Sequence, residues 1–108
     1  MELDLKGKVS VITGGSSGIG LAVARGLAAG GVHLALCARD GKRLTDAVGS
    51  IRKEFGVSTL GVPTDVTKPV GIEKFISMIE KEFGGADILI NNAGFGSEET
   101  IMGAPDER

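Results

Sequence analysis

Short β-branched runs alternate with stretches of helical periodicity along most of this chain, and that alternation constrains its fold more than any other feature. The run KVSVIT, residues 8–13, is short, apolar and β-branched, as a buried strand is. GIGLAVARGLAAG carries Ile19, Ala22, Val23 and Leu27 at helical spacing, and Gly30 and Gly31 end it. A second strand is expected at residues 32–38. Leu44, Ala47, Val48, Ile51 and Phe55 then mark one face of a second helix. Gly49 weakens that helix by about 1 kcal/mol relative to alanine, and Gly56 stops it. Residues 57–65, VSTLGVPTD, read as a third strand running into a polar turn. Pro69 opens a third helix near its first turn, where proline is tolerated. Its apolar face is Ile72, Phe75, Ile76, Ile79 and Phe83, and Gly84 and Gly85 close it. A fourth strand is expected at residues 87–91.

This order predicts an α/β, Rossmann-like domain: a parallel sheet of four strands with right-handed crossover helices, part of a doubly wound fold. The 108 residues suffice for one domain and not two. After Gly94 the periodicity fades, and Ala104 to Arg108 has the proline and acids of a helix's first turn. A helix opening at the last residue leads us to expect a chain truncated at its C-terminus.

Between the first strand and the first helix lies TGGSSGIG, residues 13–20. Glycine is the costliest residue to order, so four of them in one turn require a reason. A parallel strand delivers the chain to the carboxyl edge of the sheet. The helix starting there points free N–H groups and a partial positive charge at that edge. A phosphate reaches those donors only if no Cβ intervenes. Gly14 would permit the sharp turn, Gly18 backbone approach to a pyrophosphate, and Gly20 close helix packing. Ser16 and Ser17 can add hydroxyl donors or a cap. The spacing is neither the G-x-G-x-x-G fingerprint nor the P-loop, which ends in Gly-Lys-Ser/Thr, so a nucleoside triphosphate fits poorly. A turn rich in glycine for packing alone stays open at this point.

The second strand ends in CARD, where a dinucleotide fold reads the adenosine ribose. Arg39 favours a 2′-phosphate and hence NADP, while Asp40 directly after it keeps NAD open. Both residues could also form only a solvated turn.

The formal net charge of −2 argues against nucleic acid or anionic membrane as a partner, because each calls for a basic patch. No stretch approaches the roughly 20 apolar residues of a membrane span. MELDLKGK carries acids where a signal peptide needs positive charge. The single Cys37 excludes an internal disulfide, reads as a small buried hydrophobe, and fits a reducing compartment. A cytoplasmic protein is expected, with no metal site.

Three motifs in order make the chain resemble the N-terminal half of a short-chain dehydrogenase/reductase along all 108 residues. TGGSSGIG matches that family's T-G-x-x-x-G-x-G. Asp65-Val66 matches its pair after the third strand, and Asn91-Asn92-Ala93-Gly94 its motif after the fourth. The resemblance implies that Gly14, Gly18, Ile19 and Gly20 line the pyrophosphate and the nicotinamide-side ribose. It implies that Asp65 accepts from the adenine amino group, with Val66 adding a backbone contact. Asn91 would steady the central strands, and Ala93 and Gly94 would lie against the adenosine ribose. The family's acidic NAD-selecting position falls on Ala38 and its NADP-selecting arginine on Arg39.

The family reduces carbonyls or oxidises alcohols with a Tyr, a Lys four residues on, a Ser and a further Asn. This chain has no tyrosine, and those family positions lie beyond Arg108. No catalytic residue is therefore expected within it, and the 108 residues alone are expected to be inactive. Lys81, Ser97, Glu98 and Glu99 match no catalytic position and read as solvated surface; His33, inside a strand pattern, reads as structural. The implied activity is hydride transfer between NADP(H) and a small carbonyl or alcohol, within a protein that is usually a homo-oligomer. The alternatives are a dinucleotide-binding sensor without chemistry and an incomplete fold exposing an apolar sheet edge.

Overall fold

A computed structural model describes residues 5–16 and 18–92. Strands and helices alternate as β1 (Val9–Thr13), α1 (Gly18–Ala29), β2 (His33–Ala38), α2 (Gly41–Phe55), β3 (Thr59–Pro63), α3 (Pro69–Phe83) and β4 (Ile88–Asn91). The four strands form one sheet in the order β3-β2-β1-β4, and every pair is parallel. The expected Rossmann-like α/β architecture is present.

The strand order follows from handedness. The chain steps from β1 to β2 to β3 in one direction, so right-handed crossovers place α1 and α2 on one face. It then returns past β1 to reach β4, and the reversed direction puts α3 on the other face. On the first face Ile12, Leu34 and Leu36 pack with Ala24, Ala28, Leu44, Val48 and Ile51. On the second, Phe75 and Ile79 pack on Val11, Ala35, Cys37 and Val62. β4 is held in register from its first turn: Val9 N–H donates to Asp87 Oδ2 at 2.9 Å, and Asp87 N–H to Val9 O at 2.8 Å.

Two helix faces differ from expectation. In α1 the buried residues are Gly20, Ala24 and Ala28, while Ile19 and Ala22 are exposed and Val23 and Leu27 are half-buried. Small residues at this spacing let the helix backbone approach the sheet, so the seam is defined by size and not by hydropathy. In α3, Phe75 and Ile79 are buried, but Ile72 and Ile76 stay 37% and 49% exposed. These two residues and the exposed Leu89 on β4 line an apolar groove of about 540 Å³.

The helix ends are chemically explicit. Asp40 caps α2, which begins at Gly41, three residues ahead of its first buried position, Leu44. Gly56 and Gly84 terminate α2 and α3 in the left-handed conformation, their N–H groups donating to Arg52 O and Glu80 O. Arg25 links α1 to α2: its guanidinium pairs with Glu54, donates to Ser50 Oγ and lies 5.3 Å over the Phe55 ring. His33 is structural. Its Nδ1 accepts from Ser58 N–H at 3.0 Å and its ring stacks on Phe83.

Candidate cofactor site

The carboxyl ends of β1 and β4 lie side by side where the connections change face, the place at which open α/β sheets form a ligand crevice. The chain leaves β1 through Gly14, whose φ of +71° turns it sharply back. Gly14 N–H donates to Cys37 O at 2.8 Å and Gly15 N–H to the same oxygen at 3.3 Å, pinning the turn onto β2. Ser16 is buried within the turn. Gly18 opens α1 at φ +60°, and nothing stands within 4 Å of where its Cβ would be. The space before this helix N-terminus is therefore open, and no acid in its first turn competes for the free N–H groups. These are the properties of a cradle for an anion, so the residues present fit a dinucleotide pyrophosphate.

Gly20 lets the start of α1 pack closely. A Cβ there would meet Gly14 O at 2.1 Å and Asn92 Nδ2 at 2.7 Å, so the closest approach is to the turn itself and not to a strand. Ile19 is 68% exposed, an apolar surface at the head of the helix beside the open space.

Three polar side chains stitch β4 to this turn. Thr13 Oγ1–H donates to Asn91 Oδ1 at 2.9 Å and accepts from Asn92 N–H at 2.9 Å. Asn92 Nδ2–H donates to Gly14 O at 3.2 Å. Asn91 thus joins β4 to β1. Thr13 and Asn92 were not singled out from sequence. Their only sequence signal is their place inside the TGG and NNAG strings.

Arg39 is exposed just past the end of β2. Asp40 is committed elsewhere: Oδ1 accepts from Arg43 N–H at 3.1 Å, and Oδ2 lies 3.8 Å from Arg43 Nε. Its carboxylate caps the N-terminus of α2. At the neighbouring end of β3, Asp65 Oδ1 accepts from Thr67 N–H and Oγ1–H. These bonds, and the charges of Arg39 and Lys68, hold the Asp65 carboxyl below the usual carboxylate range. Val66 lines the apolar groove, which meets the site at Val66, Thr13 and Asn91. The groove's walls are otherwise mostly apolar. Ser17, Ala93 and Gly94 lie outside the described residues, as do Ser97, Glu98 and Glu99. Lys81 is exposed.

A parallel sheet whose first strand runs through a glycine turn into a helix, with Asn side chains returning from β4, defines the Rossmann-type short-chain oxidoreductases. Residues 8–108 match the short chain dehydrogenase family, and the chain belongs to it. L-sorbose reductase from Gluconobacter frateurii, solved with NADPH and L-sorbose, superposes with a TM-score of 0.86. It is 52% identical, over 98% of this chain and 40% of that one. D-beta-hydroxybutyrate dehydrogenase of Rhizobium meliloti (strain 1021) is 41% identical over 94% of this chain and 40% of its own length. A polyketide synthase putative ketoacyl reductase for granaticin, from Streptomyces violaceoruber, is 45% identical over 80% of this chain and 31% of its own length. The chain thus spans two fifths or less of the length of these relatives. No helix among the described residues is long and apolar enough to cross a membrane.

Proposed function

We propose that these residues are one domain supplying the NADP(H)-binding half of an oxidoreductase that moves hydride between the nicotinamide and a small carbonyl or alcohol. The observation that carries this reading is the open cradle at Gly14 and Gly18, facing the same sheet edge as Arg39 and Asp65. The nicotinamide supplies the hydride when the cofactor is bound. The chain's own residues bind and orient. Gly14, Ser16, Ser17, Gly18, Ile19 and Gly20 would receive the pyrophosphate and the adjoining ribose, Ala93 and Gly94 the adenosine ribose, and Asp65 with Val66 the adenine. Arg39 would pair with the 2′-phosphate, and Asn91 would keep β4 against β1. NADP is favoured over NAD because Arg39 is exposed and Asp40 is occupied. A cytoplasmic site and a homo-oligomeric whole protein accompany this reading.

No residue of this chain is assigned to proton transfer, because the family's acid is a tyrosine and the chain has none. NADPH titration of the 108-residue protein, followed by calorimetry, tests the cofactor part. Saturable binding is expected, with no NADPH oxidation across a carbonyl panel. Absence of binding would sink the cofactor reading, and turnover would sink the assignment of proton transfer to residues elsewhere.

A further inference from the structure

The order β3-β2-β1-β4 sets β3 at one edge of the sheet formed by the described residues. Leu34 N–H donates to Ser58 O at 2.9 Å and Thr64 N–H to Ala38 O at 2.8 Å, so the even-numbered residues from Ser58 to Thr64 turn their backbone groups toward β2. By the alternation of a parallel ladder, Thr59, Gly61 and Pro63 turn theirs outward. Such a row of N–H and C=O groups is a template for another strand. Two residues interrupt it. Arg52 Nε and Nη2 both donate to Thr59 O, at 3.1 and 2.6 Å, and fill that acceptor. Pro63 has no N–H to give. α2 delivers the guanidinium. A Cβ on Gly61 would meet Val48 Cγ2 at 2.5 Å, so this helix lies directly over the edge strand. Arg52 follows Val48 by one turn on the same helix face.

A second copy would add its own β3 antiparallel about a two-fold axis at Gly61, the arrangement in which one edge meets itself. Gly61 then faces Gly61 of the second copy, and Thr59 faces Pro63 of the second copy. Thr59 O needs an N–H from position 63, and proline has none. Position 63 needs a free acceptor at Thr59, and Arg52 holds it. We propose that Arg52 and Pro63 together close the β3 edge to a second copy of this chain, by disabling the same hydrogen bond from its acceptor end and from its donor end. The two-fold axis repeats that bond on the other side of Gly61. The one complete pair left, at Gly61, is far below the length of a stable strand pairing.

Sedimentation equilibrium of the 108-residue protein, combined with amide hydrogen exchange, tests this. Arg52→Met keeps an aliphatic stem over the strand and removes the guanidinium. Pro63→Val restores an N–H at an exposed position. The double variant should self-associate about tenfold or more tightly than the parent, as two regained hydrogen bonds imply. In that variant, exchange of the Gly61 amide should slow as protein concentration rises. Each single variant should shift association by about threefold or less, because the other end of the bond is still disabled. A double variant that associates like the parent overturns the proposal. Tighter association without protection of Gly61 overturns it too, because the contact then lies elsewhere, as at β4. A single variant that matches the double would show one group setting the block by itself, and would overturn the shared bond. Arg52→Leu with Pro63→Ala gives the same reading should the first pair fail to fold.

Discussion

A Cβ on Gly20 would stand 2.1 Å from the carbonyl oxygen of Gly14. The contact is between backbone and side chain within one turn, so no rotamer relieves it. Gly20→Ala must push α1 away from the glycine turn. The expected loss is about 3 kcal/mol, the upper end for overpacking, read by urea denaturation. NADPH binding should weaken in parallel. A stability within about 0.5 kcal/mol of the parent would show that the turn yields more easily than this geometry allows.

Gly26 and Gly49 are the opposite case. Both lie inside helices, and nothing stands within 4 Å of a Cβ at either position. Alanine at each should raise stability by about 0.5–1 kcal/mol, chiefly by restricting the unfolded chain. The two gains should add, because the sites are independent. Thermal melts of the single and double variants check this.

Ser10, the second residue of β1, carries a fully buried hydroxyl with no hydrogen-bond partner among the described residues. A buried polar group without a partner is destabilising. Ser10→Ala should therefore stabilise the fold by about 1 kcal/mol in chemical denaturation. A clear loss would mean that the hydroxyl has a role in the folded protein that its neighbours do not reveal.

Cys37 is fully buried beneath the glycine turn, and that burial pushes its thiol up to about 11. The native state therefore keeps its proton where the unfolded chain has lost it. Stability from this group is fully present below about pH 9 and falls as the pH rises toward 11. Iodoacetamide at pH 8 should label the native protein far more slowly than the urea-unfolded one. Equal labelling rates would contradict the burial.

Arg39→Ala tests the choice of cofactor. NADPH should weaken by about tenfold or more, and NADH by about threefold or less, because only the first offers a 2′-phosphate to the guanidinium. Equal losses for both would remove Arg39 from that role. With Asp40 capping α2, Asp40→Ala should lower stability by about 1 kcal/mol. It should leave the ratio of the two affinities unchanged.

Much of the architecture was legible because local chemistry dictates it. The β-branched runs, the glycine and proline helix ends, and the 3.6-residue stripe of α2 each depend on neighbours within a few positions. The buried stripe of α1 was not legible in the same way. Ile19 and Ala22 fit the helical period, yet Gly20, Ala24 and Ala28 face the sheet. A hydropathy pattern rewards large apolar residues, whereas a helix lying close to a backbone selects small ones. The capping role of Asp40 likewise depends on where α2 begins, one residue further on.

By itself, the sequence determined the alternation of elements, the glycine turn and the three motifs of the family, since each is a string whose meaning is local. Tertiary structure alone decided the strand order β3-β2-β1-β4, and with it which strings meet. Crossover handedness brings Asn92, 78 residues on from Gly14, to that residue's carbonyl. The same sheet order sets Arg39 beside Asp65 at adjacent strand ends. No local preference encodes such distances; they follow from burying both faces of one twisted sheet.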